Sequence, residues 1–174
     1  IHSAQPISIA YRECKRYESL GDPPCIFLRP NFTLYVETSD KVMAILRKHV
    51  DKFEQWGIDE AFLDISGRAK NFSQAKALAE KIKDEIKRKE KLTCSIGIAP
   101  NKAVAKIASD YQKPDGLTIV TLSKGKEFLK PLAVRKLLGV GPKMEKKLLD
   151  FGIKTIGQLS RMPRKFLVEV FGKW

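Results

Sequence analysis

Two neighbouring carboxylates, Asp59 and Glu60, sit in the stretch "GIDEAFLDIS" (57–66), among Ile58, Ala61, Phe62, Leu63 and Ile65. Acids are seldom held in apolar surroundings without a partner. An extended chain sends neighbouring side chains to opposite faces. The two acids converge only if the strand bends there, and Gly57 just before them allows a bend or bulge. Converged, they form a hard oxygen site suited to Mg²⁺ or Mn²⁺. Two such ions about 3.5–4 Å apart are a common device of nucleotidyl transfer. A hairpin tip with solvated acids accounts for the same residues, and both readings stand at this point. Asp64 reads as a strand-end acid rather than a ligand.

The elements that must carry these residues belong to a chain of 174 residues, 43% hydrophobic and 30% charged. That is enough for a sizeable core and argues against global disorder. The chain opens at Ile1 rather than Met and stops at Trp174, which reads as a piece of a longer protein. No apolar run approaches the ~18 residues of a membrane span, and no signal-peptide pattern is present. Cys14, Cys25 and Cys94 are odd in number and scattered, so neither a disulfide framework nor a zinc site is suggested. A reducing, intracellular setting fits them best. With His2 and His49 the only histidines, a metal site would have to use oxygen ligands. The net charge of +13 favours a polyanionic partner, with nucleic acid ahead of membrane.

Residues 1–30 read as irregular, broken by "GDPPC" (21–25). A helix is expected over 39–55 with Ser39 as N-cap and Val42, Ile45, Leu46, His49, Val50 and Phe53 on its apolar face. Ile58–Ile65 follows as a strand, part of a hairpin. A helix over 73–89 carries the stripe Ala75, Leu78, Ala79, Ile82 and Ile86. "LTCSIGI" (92–98) alternates as a strand, 101–112 is a helix opened by Asn101, "KPDG" (113–116) is a turn, and 117–120 is a strand. The order fits an α+β fold, a split βαβ (ferredoxin-like) sheet with helices on one side. Residues 1–38 offer no strand to precede the first of these helices, so the sheet lacks its first strand. From about 122 the chain turns basic and all-helical. Three parts are expected: 1–30, 31–121 and 122–174.

"GIDEAFLDIS" resembles the S-I-D-E-A-Y-L-D motif of the Y-family, DinB-like lesion-bypass DNA polymerases. "TCSIGIAPNKAVAKIASDYQKPDG" (93–116) and "LLGVGPKMEKKLLDFGIKTIGQLS" (137–160) follow in the family's order. "IHSAQPIS" (1–8) and "RPNFTLYVETS" (29–39) resemble the end of the family's fingers and its return to the palm. The resemblance implies fingers (1–30), a catalytic palm (31–121) and a truncated thumb with a helix-hairpin-helix (122–174). It implies template-directed DNA synthesis in lesion bypass with two Mg²⁺ ions, Mn²⁺ as a substitute, held by Asp59 and Glu60. Gly57 stands where the family usually has Ser. The family's third carboxylate and its ribonucleotide-rejecting aromatic residue lie on a strand upstream of the fingers, outside this chain. The piece alone is therefore expected to be inactive.

The resemblance also implies that Lys113 reaches the incoming triphosphate, as a point charge on developing negative charge. Asp110, one helical turn before it, could orient it or simply be solvated. Ser3 and Ala4 match the small residues under the templating base. Gly139 and Gly141 with Lys143 look like a hairpin gripping DNA phosphates without reading sequence. Tyr35, Trp56 and Phe62 read as core, and Arg12, Lys15 and Arg16 as solvated or near template phosphates. The implied partners are primer-template DNA, deoxynucleoside triphosphates and, through a region outside this chain, a sliding clamp; no membrane is involved, and the setting is cytoplasmic, at the nucleoid. A non-catalytic helix-hairpin-helix DNA-binding module and a palm-like nucleotide cyclase are the rival readings. A cyclase has no duplex to hold, so the basic hairpin counts against it.

Overall fold

The computed structural model describes residues 1–2 and 4–172 and divides into two compact units, 1–35 and 36–174. In the first, residues 7–18 form helix α1 (Ile7–Glu18) where the sequence reads as irregular. Only Ala10 and Cys14 of this helix are buried, an i, i+4 pair too sparse to show as a stripe. Cys14 and Cys25 are joined in a disulfide with Cα atoms 5.9 Å apart. This corrects the reading of three unpaired cysteines. Spacing along the sequence cannot show that α1 turns one cysteine toward the segment carrying the other.

Helix α2 (Phe32–Lys48) begins seven residues before the expected start, with the Asn31 side chain accepting from Leu34 N–H at 3.1 Å. Ser39 is therefore not a cap. It is buried within the helix, and its hydroxyl donates to the Ile58 carbonyl. The helix also ends earlier, and Phe53, expected on it, lies in strand β1 (Lys52–Gln55). Strand β1 pairs antiparallel with β2 (Ala61–Asp64), Gln55 facing Ala61 at the closed end. Helix α3 (Phe72–Glu90) is capped by Asn71, whose side chain accepts from Gln74 N–H. Its Glu85 takes Lys89 and the half-buried His49, and these hydrogen bonds hold the Glu85 carboxyl down at about 2.

Strand β3 (Ile96–Ile98) is shorter than its alternating sequence suggests, and Leu92 is exposed. It runs parallel to β4 (Leu117–Ile119), with helix α4 (Lys102–Tyr111, capped by Asn101) between them in the chain. The two strand pairs are separate in hydrogen bonding, and no continuous split sheet forms among the described residues. What joins them is apolar packing. Met43, Ile45 and Leu46 of α2 and Ile82 and Ile86 of α3 form one cluster, on which Phe53, Leu63 and Ile96 pack. Ala75, Ala79 and Ile98 form the next, with Ile96 shared between the two.

Beyond β4 come α5 (Gly125–Leu129), a 3₁₀ turn (Val134–Lys136), α6 (Pro142–Asp150), α7 (Ile156–Leu159) and α8 (Arg164–Phe171). This is the all-helical run expected from 122 onward. Val134, Leu148 and Ile153 form its core, surrounded by Val140, Met144, Leu159, Met162, Phe166 and Phe171.

The α4–β3 contact leaves no room for a side chain at position 97. A Cβ on Gly97 would fall inside the contact distance of the Ala105 carbonyl and the Ser109 amide, both backbone. Gly125, by contrast, faces open space. Gly97→Ala should cost ~2–4 kcal/mol in denaturant unfolding, because helix and strand must part. Gly125→Ala should be neutral within ~0.5 kcal/mol or slightly stabilising. Equal stabilities for the two variants would show that the close approach is not as described.

Candidate functional site

The two acids lie at the closed end of the β1–β2 hairpin. The amides of Trp56 and Gly57 both donate to the Glu60 carbonyl, at 2.9 and 3.2 Å. Asp59 is thus an exposed residue of the turn and Glu60 is half-buried where the chain re-enters β2. The bend anticipated at Gly57 is this turn rather than a bulge inside a strand. Asp64 ends β2, accepting from Ser66 N–H at 3.0 Å, and that bond lowers its pKa. Trp56 and Tyr35 are exposed and not core, at 46% and 48%. Trp56 belongs to the turn, where it stacks on Phe62 with ring centres 5.5 Å apart.

Helix α4 faces this turn with a row of charges spaced one turn apart. Lys102 pairs with Glu54 of β1. Lys106, 19% exposed, donates to Glu60 Oε1 at 2.5 Å and lies 3.0 Å from Asp110 Oδ2. Asp110 Oδ1 in turn holds Lys113 Nζ at 2.6 Å. Glu60, Lys106, Asp110 and Lys113 therefore form one continuous array of alternating charge. Burial pulls the Lys106 pKa down, but its bonds to Glu60 and Asp110 outweigh this and leave it raised. Burial likewise pushes Asp110 up, and its bonds to Lys113 and Lys106 leave it lowered overall. Asp110 does contact Lys113, as the sequence allowed. Lys106 drew no notice there, because a lysine on a basic helix reads as solvated.

The turn carrying Lys113 is pinned from beneath. Lys83 of α3, 16% exposed, donates to the Asp115 carboxylate at 2.5 Å and to the carbonyls of Cys94 and Asp115 at 2.5 and 2.9 Å. Asp115 has a left-handed φ of 55°, and the Lys113–Pro114 bond is cis. Beside the turn, a cleft of about 390 Å³ is lined by Ile107, Asp110, Lys113, Arg135 and Lys136. The two cations from the 3₁₀ turn could not be assigned to it from sequence.

Ala4 sits exposed in a turn with φ 63°, and Ser3 lies outside the described residues. Gly139 has φ 85°, a conformation that favours glycine. Gly141 is extended, caps α6 ahead of Pro142, and has open space at its Cβ position apart from Arg135 at 4.0 Å. Lys143 follows in the first turn of α6. Among the described residues no group of three His, Cys, Asp or Glu side chains is placed to hold a metal, and no helix is long and apolar enough to cross a membrane.

The model of the impB/mucB/samB family matches residues 1–110. The chain belongs to that family. The IMS family HHH motif matches 123–153, a run that contains α5, the 3₁₀ turn and α6. The chain is 45% identical to DNA polymerase IV 2 of Methanosarcina mazei, over 99% of its own length and 45% of that protein. It is 44% identical to DNA polymerase IV of Nitrosopumilus maritimus, over 91% of its length and 43% of the relative. It spans a little under half of the curated relatives it matches. Among solved structures it resembles DinB from Sulfolobus solfataricus, with TM-score 0.88 and 32% identity over 99% of this chain and 49% of that one. It resembles equally the insertion ternary complex of Dbh DNA polymerase, with TM-score 0.88 and 33% identity over 99% and 48% of the two chains. The impB/mucB/samB chain is thus a Y-family, DinB-like polymerase segment, as its motifs implied.

Gly57, where Y-family proteins usually carry Ser, has room for one. A Cβ there meets only Asp59 Oδ1, at an ordinary 3.7 Å. Gly57→Ser should leave the melting temperature within about 2 °C of the parent, since surface changes cost ~0.5 kcal/mol or less. A larger fall would show that the turn requires glycine.

Proposed function

We propose that this chain is the catalytic part of a template-directed DNA polymerase working in lesion bypass, adding deoxynucleotides to a primer 3′-hydroxyl. The observation that carries this reading is the array from Glu60 to Lys113. It sets Glu60, one of the two adjacent hard-oxygen acids, and a lysine suited to phosphate on one polar seam. Residues 1–30 are proposed as part of the fingers, 31–121 as the palm and 122–174 as the thumb. A DNA substrate implies an intracellular, nucleoid setting, for which the cysteines no longer argue.

The donor set fits Mg²⁺, with Mn²⁺ as substitute. Such ions take one or two protein carboxylates and complete their shell with water and substrate phosphates. Asp59 and Glu60 are the residues that would hold two of them, with the family's third carboxylate supplied from upstream. Divalent ions, when bound there, activate the attacking hydroxyl and offset charge on the triphosphate. Lys113, on its pinned turn, binds triphosphate oxygens and stabilises the negative charge that builds as pyrophosphate leaves. Gly139, Gly141 and Lys143 hold duplex phosphates at the start of α6, and Ser3 and Ala4 lie under the templating base. A sliding clamp remains a proposed partner of regions beyond this segment. A nucleotide cyclase is not favoured, since the curated relatives are named DNA polymerases.

In a polymerase of the relatives' full length carrying this segment, Asp59→Ala and Glu60→Ala should each cut primer extension by more than about a hundredfold. DNA binding should stay near the parent in both; melting should be unchanged for the exposed Asp59→Ala and fall modestly for Glu60→Ala, which leaves Lys106 with Asp110 alone. Near-normal extension by either variant would exclude it as a metal ligand and return the chain to a DNA-binding module.

Duplex binding by the 174-residue chain should show log affinity falling linearly with log salt, without sequence preference. Lys143→Ala should reduce the slope by about one, the loss of a single phosphate contact. An unchanged slope would take Lys143 off the DNA.

A further inference from the structure

Lys106, like Lys83, is largely withdrawn from solvent, and it bonds two acids, Glu60 and Asp110. It is four-fifths buried, whereas Lys102, one turn earlier on the same helix, is 60% exposed. Helix α4 packs closely on β3, with the backbones in near contact at Gly97. The Lys106 ammonium, held by Asp110 on its own helix, reaches across to the β1–β2 hairpin, which shares no strand hydrogen bond with β3–β4. It takes Glu60 through Oε1 and leaves Oε2 for another cation. On its other side it shares Asp110 with Lys113.

We propose that Lys106 is a positioning residue: it orients the Glu60 carboxylate and, through Asp110, holds the Lys113 turn in the same frame, so that the metal-binding acid and the phosphate-binding lysine are set relative to each other before substrate arrives. The inference rests on reading Asp59 and Glu60 as metal ligands. Carboxylates that bind metals are commonly oriented by a hydrogen-bond partner of their own, and losing that partner costs 10–100-fold in affinity or activity. The sign of the effect separates this role from a bystander. A lysine that merely neutralised Glu60 would repel an arriving cation, and its removal would tighten cation binding. A lysine that orients Glu60 loosens it when removed.

The test is Mn²⁺ titration of the 174-residue chain, followed by the electron paramagnetic resonance of free Mn²⁺, with metal-free hydrogen exchange alongside. Lys106→Met should weaken Mn²⁺ binding by about tenfold or more. Lys106→Arg, which keeps the charge and can reach both acids, should restore most of it. Without metal, the Trp56 and Gly57 amides, both bonded to the Glu60 carbonyl, should exchange faster in Lys106→Met while those of α3 are unmoved. If Lys106→Met melts early, Lys106→Gln replaces it in both arms. Binding as tight as or tighter than the parent's in the folded variant, or unaltered Trp56 and Gly57 exchange, overturns the proposal. Asp59→Asn is the control on the underlying reading. If it leaves Mn²⁺ affinity unmoved, the metal assignment fails and this inference falls with it. If it weakens binding and Lys106→Met does not, only the role of Lys106 fails.

Discussion

Helix α4 lies so close to β3 that position 97 admits no side chain, and the rest of the site follows from that contact. The approach buries Ile107 and Ala108 of the helix. With that face committed, Lys102, Lys106 and Asp110 must emerge together on another, since residues four apart stack along a helix. The row meets the acids of the hairpin, Glu54 and Glu60. A looser α4 would leave the same residues in the sequence without the alignment that makes them an array.

Electrostatics then decides which charges matter. Lysines and arginines number 33 against 20 Asp and Glu, so 13 of them have no acid of their own. Exposed pairs of the Lys15–Glu18 kind contribute little in water. The pairs around Lys106 and Lys83 differ because they are partly withdrawn from solvent and each cation serves several acceptors. Lys83 anchors the turn that Lys113 leaves, and Lys106 reaches Glu60 of the hairpin. Both lysines rise from helices whose positions are set by apolar packing, so the polar geometry inherits its precision from the core.

The comparisons and the geometry bear on different questions. Similarity over nearly the whole chain establishes family membership, and the segment's length, under half that of the relatives, leaves the complete activity to proposal. Side-chain geometry adds what similarity does not carry: a partner for Glu60, a clamp beneath the Lys113 turn, and Arg135 and Lys136 beside the cleft. It also changes readings based on composition alone, such as the unpaired Cys14 and Cys25 and the buried Trp56.

Local pattern in the sequence determined much of the fold. Asn101 ahead of an apolar-periodic run marked one helix and serves as its side-chain cap, and the stripe from Ala75 to Ile86 marked another, whose cap, Asn71, only the structure shows. The alternation before Ile98 marked a strand, though only its last three residues pair. The motif around Asp59 and Glu60 carried the family resemblance. Tertiary structure alone decided the rest. Helix α1 buries two residues, too few to leave a period. Ser39 looks like a cap and is an anchor for Ile58, 19 positions away. Lys106 reads as a solvated helix lysine and meets Glu60, 46 positions away. Periodicity reports which face of an element is apolar, because burial repeats every two or 3.6 residues. It holds no information on which distant polar groups are brought within hydrogen-bond reach, since that depends on how closely two backbones can approach.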